Sequence, residues 1–178
     1  MAHTVVDRQV VYDGKKVRLE IHHLEDPDTG RRHKREVVVH PGAVVVLPIL
    51  PDGRVLLIKN YRYAVSESLL ELPAGTLDRG EETINCAGRE LIEETGYTAG
   101  RLKSMGSFFS SPGILSERMY AFAAYDLRPG EQQLEDGEHI ELRPTAWEDV
   151  IDKIKSGDIR DGKTIATVLM FDRFYRGK

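Results

Sequence analysis

The chain has 178 residues, which is room for one ordinary domain with at most a small appendage, so two full-sized domains are excluded. Hydrophobic residues make up 40% of the sequence and charged residues 30%; a core can be buried, which excludes the disordered and fibrous classes. The formal net charge of −4 argues against a surface that binds nucleic-acid backbones or anionic membranes.

The first 40 residues predict a small antiparallel β appendage. Turn signals at Asp13-Gly14 and Pro27-Asp28-Thr29-Gly30 separate short strand-like runs. The predicted strands are Val5–Tyr12, Val17–His23 and Arg35–His40. Because three strands bury little apolar surface by themselves, we expect residues 1–40 to pack against the main domain, residues 41–178, or against a second copy of the chain. A homodimer is the expected assembly.

The next segment predicts a buried β-hairpin. Ala43–Leu50 and Val55–Tyr63 are nearly continuous apolar runs, and Pro51-Asp52-Gly53 is a turn signal between them. Pro73-Ala74-Gly75 predicts a further turn.

The rest of the chain mixes helices and strands. Glu82–Thr95 predicts a helix because its apolar residues recur at helical spacing, and Gly96 follows where a C-cap glycine belongs. Further strands are predicted at 102–109, 118–127 and 140–143, and further helices at 147–155 and 163–175. This order indicates an α/β sandwich.

Cysteine usage and hydropathy favour a cytoplasmic protein. Cys86 is the single cysteine, so no internal disulfide can form, and no Cys/His pattern has zinc spacing. No run reaches the roughly 18 apolar residues of a membrane span, and no apolar stretch follows a basic N-terminus. We expect a reducing compartment and no membrane partner.

Three carboxylates share one face of the predicted helix. Glu90, Glu93 and Glu94 stand at positions i, i+3 and i+4, a spacing at which like charges destabilise an isolated helix by a few tenths of a kcal/mol per pair. One interpretation is a bound cation, and oxygen ligands without Cys or His favour Mg²⁺ or Mn²⁺. The alternative is a solvated acidic face balanced by Arg89, which can reach Glu93 one turn away.

The residues around this helix resemble a known signature. Gly75, Glu81 and the run Arg89–Tyr97 resemble the box of the Nudix hydrolases, which cleave nucleoside diphosphates linked to another moiety, and all seven fixed positions match. The box usually ends in an aliphatic residue where this chain has Tyr97, a change that affects packing and removes no ligand. In such a box Arg89 and Glu81 are the pair that orients the carboxylates.

The resemblance implies a fold and a metal site. The implied fold is the Nudix α/β/α sandwich with a mixed β-sheet, from about Val39 to the C-terminus. The implied metal ligands are Glu90, Glu94 and the Ala74 carbonyl, with Glu93 as a nearby ligand or proton acceptor. The implied cofactor is Mg²⁺, for which Mn²⁺ substitutes.

Further segments resemble the subfamily that acts on ADP-ribose and related nucleotide sugars. Pro112 lies sixteen residues after Gly96, as in that subfamily, within a similar loop, Ser111–Glu117. The segments Glu71–Gly75 and Tyr61–Ala64 are similar too.

The resemblance implies substrate-binding residues. Arg62 holds a substrate phosphate, a task that suits its planar charged fork, and Glu71 belongs to the same binding region. The sugar pocket is lined by Ser111, Pro112, Gly113 and Glu117. Arg35 is the candidate for base recognition, ahead of the equally basic Arg31 and Arg32, which lie in a predicted turn.

The resemblance places the catalytic base on an acidic loop after the main strands. Glu138, just before the strand at residue 140, is the candidate, with Glu135 and Asp136 as alternatives. Hydrolysis also needs charge neutralisation and an oriented water.

The function implied is Mg²⁺-dependent hydrolysis of ADP-ribose to AMP and ribose 5-phosphate. The same chemistry on GDP-mannose or an ADP-sugar is the first alternative, and a non-catalytic ADP-ribose-binding module is the second. The acidic balance and the lack of a basic tract disfavour nucleic acid as a partner.

Overall fold

The structure, a computed structural model, describes residues 3–134 and 136–177. The described chain divides into two compact units. The first unit is the chain up to Gly42 together with Phe109–Arg118, and the second unit is Ala43–Phe108 together with the chain from Met119 onward.

The first unit contains an antiparallel sheet in the order β1-β2-β3. Its strands are β1 (Thr4–Asp13), β2 (Arg18–Glu25) and β3 (Arg32–Val39). The turn between β2 and β3 forms because the Asp26 side chain accepts the N–H groups of Asp28 and Thr29, both at 2.9 Å, as turn-forming Asp residues do. The predicted antiparallel appendage is therefore confirmed.

The second unit is a mixed α/β structure. Its elements are β4 (Ala43–Pro48), β5 (Val55–Arg62), β6 (Glu67–Glu71), β7 (Ala74–Thr76), α1 (Thr83–Thr95), β8 (Thr98–Phe109), β9 (Arg118–Arg128), β10 (Ile140–Thr145), α2 (Trp147–Ser156) and α3 (Gly162–Phe174). One sheet has the order β7-β4-β9-β8 and the other has the order β10-β5-β6. Since β4 is antiparallel to β7 and parallel to β9, the first of these sheets is mixed, as predicted.

The sequence prediction of a hairpin between β4 and β5 is wrong. The two strands lie in different sheets, and a single bridge between Ile49 and Val55 joins the segments. The predicted turn at residues 73–75 is also wrong, because Ala74 and Gly75 belong to β7 and pair with Val45 and Val44. A continuous apolar run shows that a strand is buried on both faces but does not identify its partner.

Residues of β4 alternate between two cores. Val45 and Leu47 pack in a core with side chains of α2 and α3, whereas Val44 and Val46 pack in a second core with side chains of α1. This alternation follows from the two-residue period of a strand. Helices therefore cover both faces, which confirms the predicted α/β/α sandwich.

Helix ends follow their local sequence signals. Gly96 ends α1 with φ of 75°, and its N–H donates to the Ile92 carbonyl at 2.7 Å, as expected of a C-cap glycine. Asp161 begins α3 by accepting the N–H of Thr164 at 3.0 Å. None of the helices in residues 3–134 and 136–177 has the length and apolar character needed to span a membrane.

Candidate functional site

The acidic face of α1 packs against the short strand β7. Ala74 donates its N–H to Glu94 Oε2 at 2.8 Å. A Cβ atom on Gly75 would lie 1.8 Å from the carboxyl carbon of Glu90, so any other residue there would displace the Glu90 carboxylate from its position beside β7. The helix and the strand therefore bring together two predicted carboxylate ligands and the backbone of Ala74.

Arg89 lies at the centre of a hydrogen-bond cluster. Its Nε and Nη2 donate to the two carboxylate oxygens of Glu81 at 3.0 and 2.9 Å. Its Nη1 donates to Glu90 at 2.7 Å and to Glu93 at 2.9 Å. The hydrogen bonds from Arg89 lower the pKa of Glu81 to about 2. Arg89 and Glu81 thus make the contacts that an orienting pair requires.

The buried carboxylates of this face differ from solvated surface glutamates. Burial raises the pKa of Glu94 to about 8, although the N–H of Ala74 acts in the opposite direction. Burial also raises the pKa of Glu90. A solvated acidic face does not describe these two side chains, because burial disfavours their anionic forms even though Arg89 is paired with Glu90.

The oxygen donors suit a hard divalent cation. The carboxylates of Glu90, Glu93 and Glu94 and the carbonyl of Ala74 are ligands of the kind that Mg²⁺ prefers. Within the described ranges, no three His, Cys, Asp or Glu side chains form a cluster with metal-binding geometry. Arg89 Nη1 holds both Glu90 and Glu93, so binding a cation requires these carboxylates to shift. The donor chemistry fits the metal.

Glu138 lies on the loop between β9 and β10. It is partly buried, whereas Asp136 is exposed. The charge of Glu138 contributes to raising the pKa of both Glu90 and Glu94, so its carboxylate is within electrostatic range of the acidic face. Glu135, the other alternative, lies outside the described residues. Between Glu138 and Asp136, these observations favour Glu138 as the candidate base.

Arg62 is held by a fully buried carboxylate. Its Nε and Nη2 donate to the two oxygens of Glu71 at 2.8 and 2.6 Å, and Glu71 is 0% exposed. Lys163 also donates to Glu71 and forms an ion pair with Asp161 at 3.0 Å. The side chain of Arg62 keeps 37% of its surface exposed, so part of its guanidinium is accessible to a ligand. The Glu71 hydrogen bonds and the charge of Glu94 raise the pKa of Arg62.

The sequence did not predict that the start of α3 contacts the segment around Glu71. Thr164 Oγ1 accepts the N–H of Leu72 at 2.8 Å and donates to Asp161 at 2.6 Å. Leu72 directly follows Glu71, which Lys163 contacts. The capping residue Asp161 ahead of a predicted helix was the available signal, but nothing in the sequence relates it to residues 71 and 72.

The predicted sugar-binding and base-recognition residues belong to the first unit. The loop with Ser111, Pro112, Gly113 and Glu117 is joined to β3 by two hydrogen bonds: the N–H of Val38 donates to Ile114 at 2.8 Å, and the N–H of Ser116 donates to Val38 at 2.9 Å. Ser111, Pro112 and Gly113 are exposed. Arg35 lies on β3, and its Nη1 donates to the Lys34 carbonyl at 3.2 Å.

Comparisons with known proteins agree with this arrangement. A family model described as NUDIX domain matches residues 39–168. An ADP-ribose pyrophosphatase of Bacillus subtilis (strain 168) is 36% identical over 161 residues, which cover 89% of this chain and 86% of the relative. A methanol dehydrogenase activator of Bacillus methanolicus is 33% identical, with 92% and 89% of the two chains covered.

A third relative and one solved structure are also similar to this chain. A GDP-mannose pyrophosphatase of Escherichia coli O139:H28 (strain E24377A / ETEC) is 35% identical over 144 residues, 75% of each chain. A crystal structure of an ADP compounds hydrolase superposes with a TM-score of 0.87 at 23% identity, covering 99% of this chain and 96% of that chain. From the matched family model and the extent of these identities, the chain belongs to the Nudix family.

Proposed function

We propose that this protein is a Mg²⁺-dependent pyrophosphohydrolase that cleaves ADP-ribose to AMP and ribose 5-phosphate. The observation that carries the proposal is the burial of Glu94 and the partial burial of Glu90 beside β7, which raise the pKa values of both carboxyl groups. ADP-ribose is proposed as the substrate because the Bacillus subtilis relative is an ADP-ribose pyrophosphatase.

In this proposal Glu90, Glu94 and the Ala74 carbonyl hold the metal, with Glu93 beside them. When bound, the divalent cation neutralises charge on the phosphoryl oxygens and lowers the pKa of an attacking water. Arg89 and Glu81 restrict the positions that Glu90 and Glu93 can take, through the hydrogen bonds described above.

Glu138 acts as the base in this proposal. Its carboxylate takes a proton from water as the water oxygen forms a bond to one phosphorus, and the bridging P–O bond breaks. The electrons of that bond pass to the leaving phosphate, so the products are AMP and ribose 5-phosphate. A base of this kind contributes roughly 10²- to 10⁴-fold to the rate.

Substrate recognition is divided between charged and exposed residues. Arg62 donates to a substrate phosphate with the part of its guanidinium that Glu71 leaves accessible, and buried Glu71 contributes by fixing Arg62. The loop residues Ser111 to Gly113 and Glu117 line the sugar pocket, and Arg35 recognises the base.

A second candidate substrate is GDP-mannose. The GDP-mannose pyrophosphatase of Escherichia coli is 35% identical to this chain over 75% of its length. Because the chemistry at the diphosphate would be the same, base and sugar recognition decide between the two substrates.

A panel of nucleoside diphosphate derivatives tests the proposal. The purified protein is incubated with ADP-ribose, ADP-glucose and GDP-mannose in the presence of Mg²⁺ or Mn²⁺, and products are separated by chromatography. We expect ADP-ribose to be cleaved faster than the other two compounds, giving AMP and ribose 5-phosphate. Addition of EDTA should stop the formation of these products. Faster cleavage of GDP-mannose would favour the second candidate, and no cleavage of any compound would contradict the enzymatic proposal.

We also propose a homodimer that β1 helps to form. All ten residues of β1 are exposed, and Val5, Val6, Val10, Val11 and Tyr12 among them are apolar. Such a strand is costly to leave in water. Size-exclusion chromatography with light scattering is expected to give twice the mass of the 20.1 kDa chain; a monomer at all concentrations would contradict the dimer.

A further inference from the structure

The side chain of Gln132 links α1 to the start of β10. Its Nε2 donates to the Glu94 carbonyl at 2.7 Å and, in a longer contact, to the Ile140 carbonyl at 3.4 Å. Glu94 is a proposed metal ligand, and Ile140 lies two residues after Glu138. One amide group therefore contacts both the helix that carries the ligands and the end of the loop that carries the proposed base.

The beginning of this loop is fixed to α1 by backbone contacts as well. The N–H of Gln133 donates to the Glu93 carbonyl at 2.9 Å. A Cβ atom on Gly96 would lie 2.7 Å from the Gly130 carbonyl oxygen, and one on Gly130 would lie 2.8 Å from the Gly96 oxygen. The two backbones thus touch where the helix ends, so that the start of the loop has little freedom to move away.

Helix capping alone does not account for the contacts of Gln132. The last carbonyls of a helix have no partner within the helix, and the bond to Glu94 satisfies one of them. The bond to Ile140 satisfies a carbonyl of β10, at the far end of the same loop. Gln132 therefore also closes the loop from residue 132 to residue 140.

We propose that Gln132 is a positioning residue that holds Glu138 at its working distance from Glu90 and Glu94. The inference rests on the proposed function, in which Glu138 is the base. A base must lie within about 3 Å of the proton that it accepts, or reach it through one water. Holding both ends of the loop restricts where Glu138 can lie, which is the condition for a high effective concentration of the base.

The substitution Gln132→Met tests this role because it keeps the length of the side chain and removes both N–H donors. With ADP-ribose and saturating Mg²⁺, we expect kcat to fall about ten- to a hundredfold, the size of effect that a misplacement of about 1 Å produces, while KM changes less than about twofold. Binding of Mg²⁺ alone, measured by calorimetry, should be unchanged because the side chains of Glu90 and Glu94 are untouched.

Gln133→Met is the matched control. Gln133 is the adjacent residue of the same type, is exposed, and donates to α1 through its backbone N–H, which the substitution keeps. Its kcat should stay within about twofold of the wild type. Gln132→Glu, which keeps the shape and cannot donate, replaces Gln132→Met if the methionine variant unfolds.

A double-mutant cycle with Glu138→Gln separates positioning from stability. If Gln132 acts through Glu138, Gln132→Met should lower kcat much less in the Glu138→Gln background than in the wild type. Equal losses in both backgrounds, or an unchanged kcat in Gln132→Met, would overturn the inference while the enzymatic proposal stands. An unchanged kcat in Glu138→Gln would instead remove the base, and with it the basis for a positioning role.

Discussion

Two buried glutamates, one in each unit, show opposite electrostatics. Glu20 on β2 is 3% exposed and Glu94 on α1 is 5% exposed. The hydrogen bond from His22, together with Arg18, lowers the pKa of Glu20, whereas burial raises the pKa of Glu94 to about 8. Similar solvent exposure thus has opposite consequences: the hydrogen bond from His22 is the largest influence on the pKa of Glu20, whereas burial is the largest influence on the pKa of Glu94.

The difference favours Glu94 over Glu20 as the carboxylate that an external cation would neutralise. Arg18 lies 2.7 Å from Glu20, and His22 lies 2.7 Å from its other oxygen. No Lys, Arg or His in the described part of the chain forms an ion pair with Glu94, which accepts the N–H of Ala74. A buried charge without a partner is costly. Glu94 is therefore the carboxylate whose ionised form a divalent cation would stabilise, whereas Glu20 already has a cationic partner in Arg18.

The largest effect is expected from Glu94→Gln. The variant keeps the size of the side chain and can still accept from Ala74, so the fold should persist, but it lacks the charge that holds the cation. We expect turnover of ADP-ribose to fall about a thousandfold or more, since metal stabilisation of several kcal/mol corresponds to several powers of ten in rate. Initial rates at saturating Mg²⁺, with circular dichroism to check the fold, measure this.

Glu82→Gln is the control for Glu94→Gln. Glu82 is an exposed glutamate immediately before the same helix, and its substitution should leave turnover within about twofold of the wild type. If Glu94→Gln retained near-normal activity, Glu94 would be no metal ligand, and its contrast with Glu20 would have no functional meaning.

Features that depend on local sequence could be predicted from the chain alone. The spacing of Glu90, Glu93 and Glu94 and the cap at Gly96 follow from the helical period and from the left-handed conformation that glycine adopts readily. The carboxylate face of α1 is therefore recognisable from residue spacing by itself.

Features that depend on partner choice could not be predicted. The sequence indicated that β4 and β5 are both buried strands, but these strands lie in different sheets. The partner of a strand depends on which buried faces pack together in the folded chain, and a single run of apolar residues does not contain that information. Lys163 and Glu71 are 92 positions apart, and no periodicity relates them. The burial of Glu94, which distinguishes a ligand from a solvated glutamate, likewise arises only when β7 covers the helix.

An intermediate effect is expected from Lys163→Met. Glu71 is a third buried carboxylate, and it resembles Glu20 because two cations, Arg62 and Lys163, neutralise it. Without Lys163, Arg62 alone must neutralise Glu71, which leaves the guanidinium less available to a phosphate. We expect KM for ADP-ribose to rise about tenfold, with a smaller change in kcat, and the free energy of unfolding to fall by about 2 kcal/mol, as for a lost hydrogen bond to a charged group.

Steady-state kinetics and chemical denaturation measure both changes in Lys163→Met. Lys155→Met is the control, since Lys155 is an exposed lysine on α2. If KM for ADP-ribose stayed at the wild-type value while stability fell, Lys163 would serve the fold alone, and the network around Glu71 would belong with the structural cluster of Glu20.

The smallest effect on activity is expected from Glu20→Gln, which tests the structural side of the comparison. Because the pKa of Glu20 is lowered from 4.5, its ionised form stabilises the folded state above pH 4.5, and this contribution is lost as the pH falls through the lowered pKa. The wild type should therefore be more stable than Glu20→Gln at pH 7, and the difference should shrink as the pH is brought below 4.5. Unfolding by denaturant, measured between pH 7 and pH 3, follows the difference, and kcat at pH 7 should be unchanged. A large loss of turnover in Glu20→Gln would contradict the division of the two buried glutamates between structure and chemistry. A carboxylate that is paired with Arg18 and hydrogen-bonded to His22 is not expected to contribute its charge to catalysis.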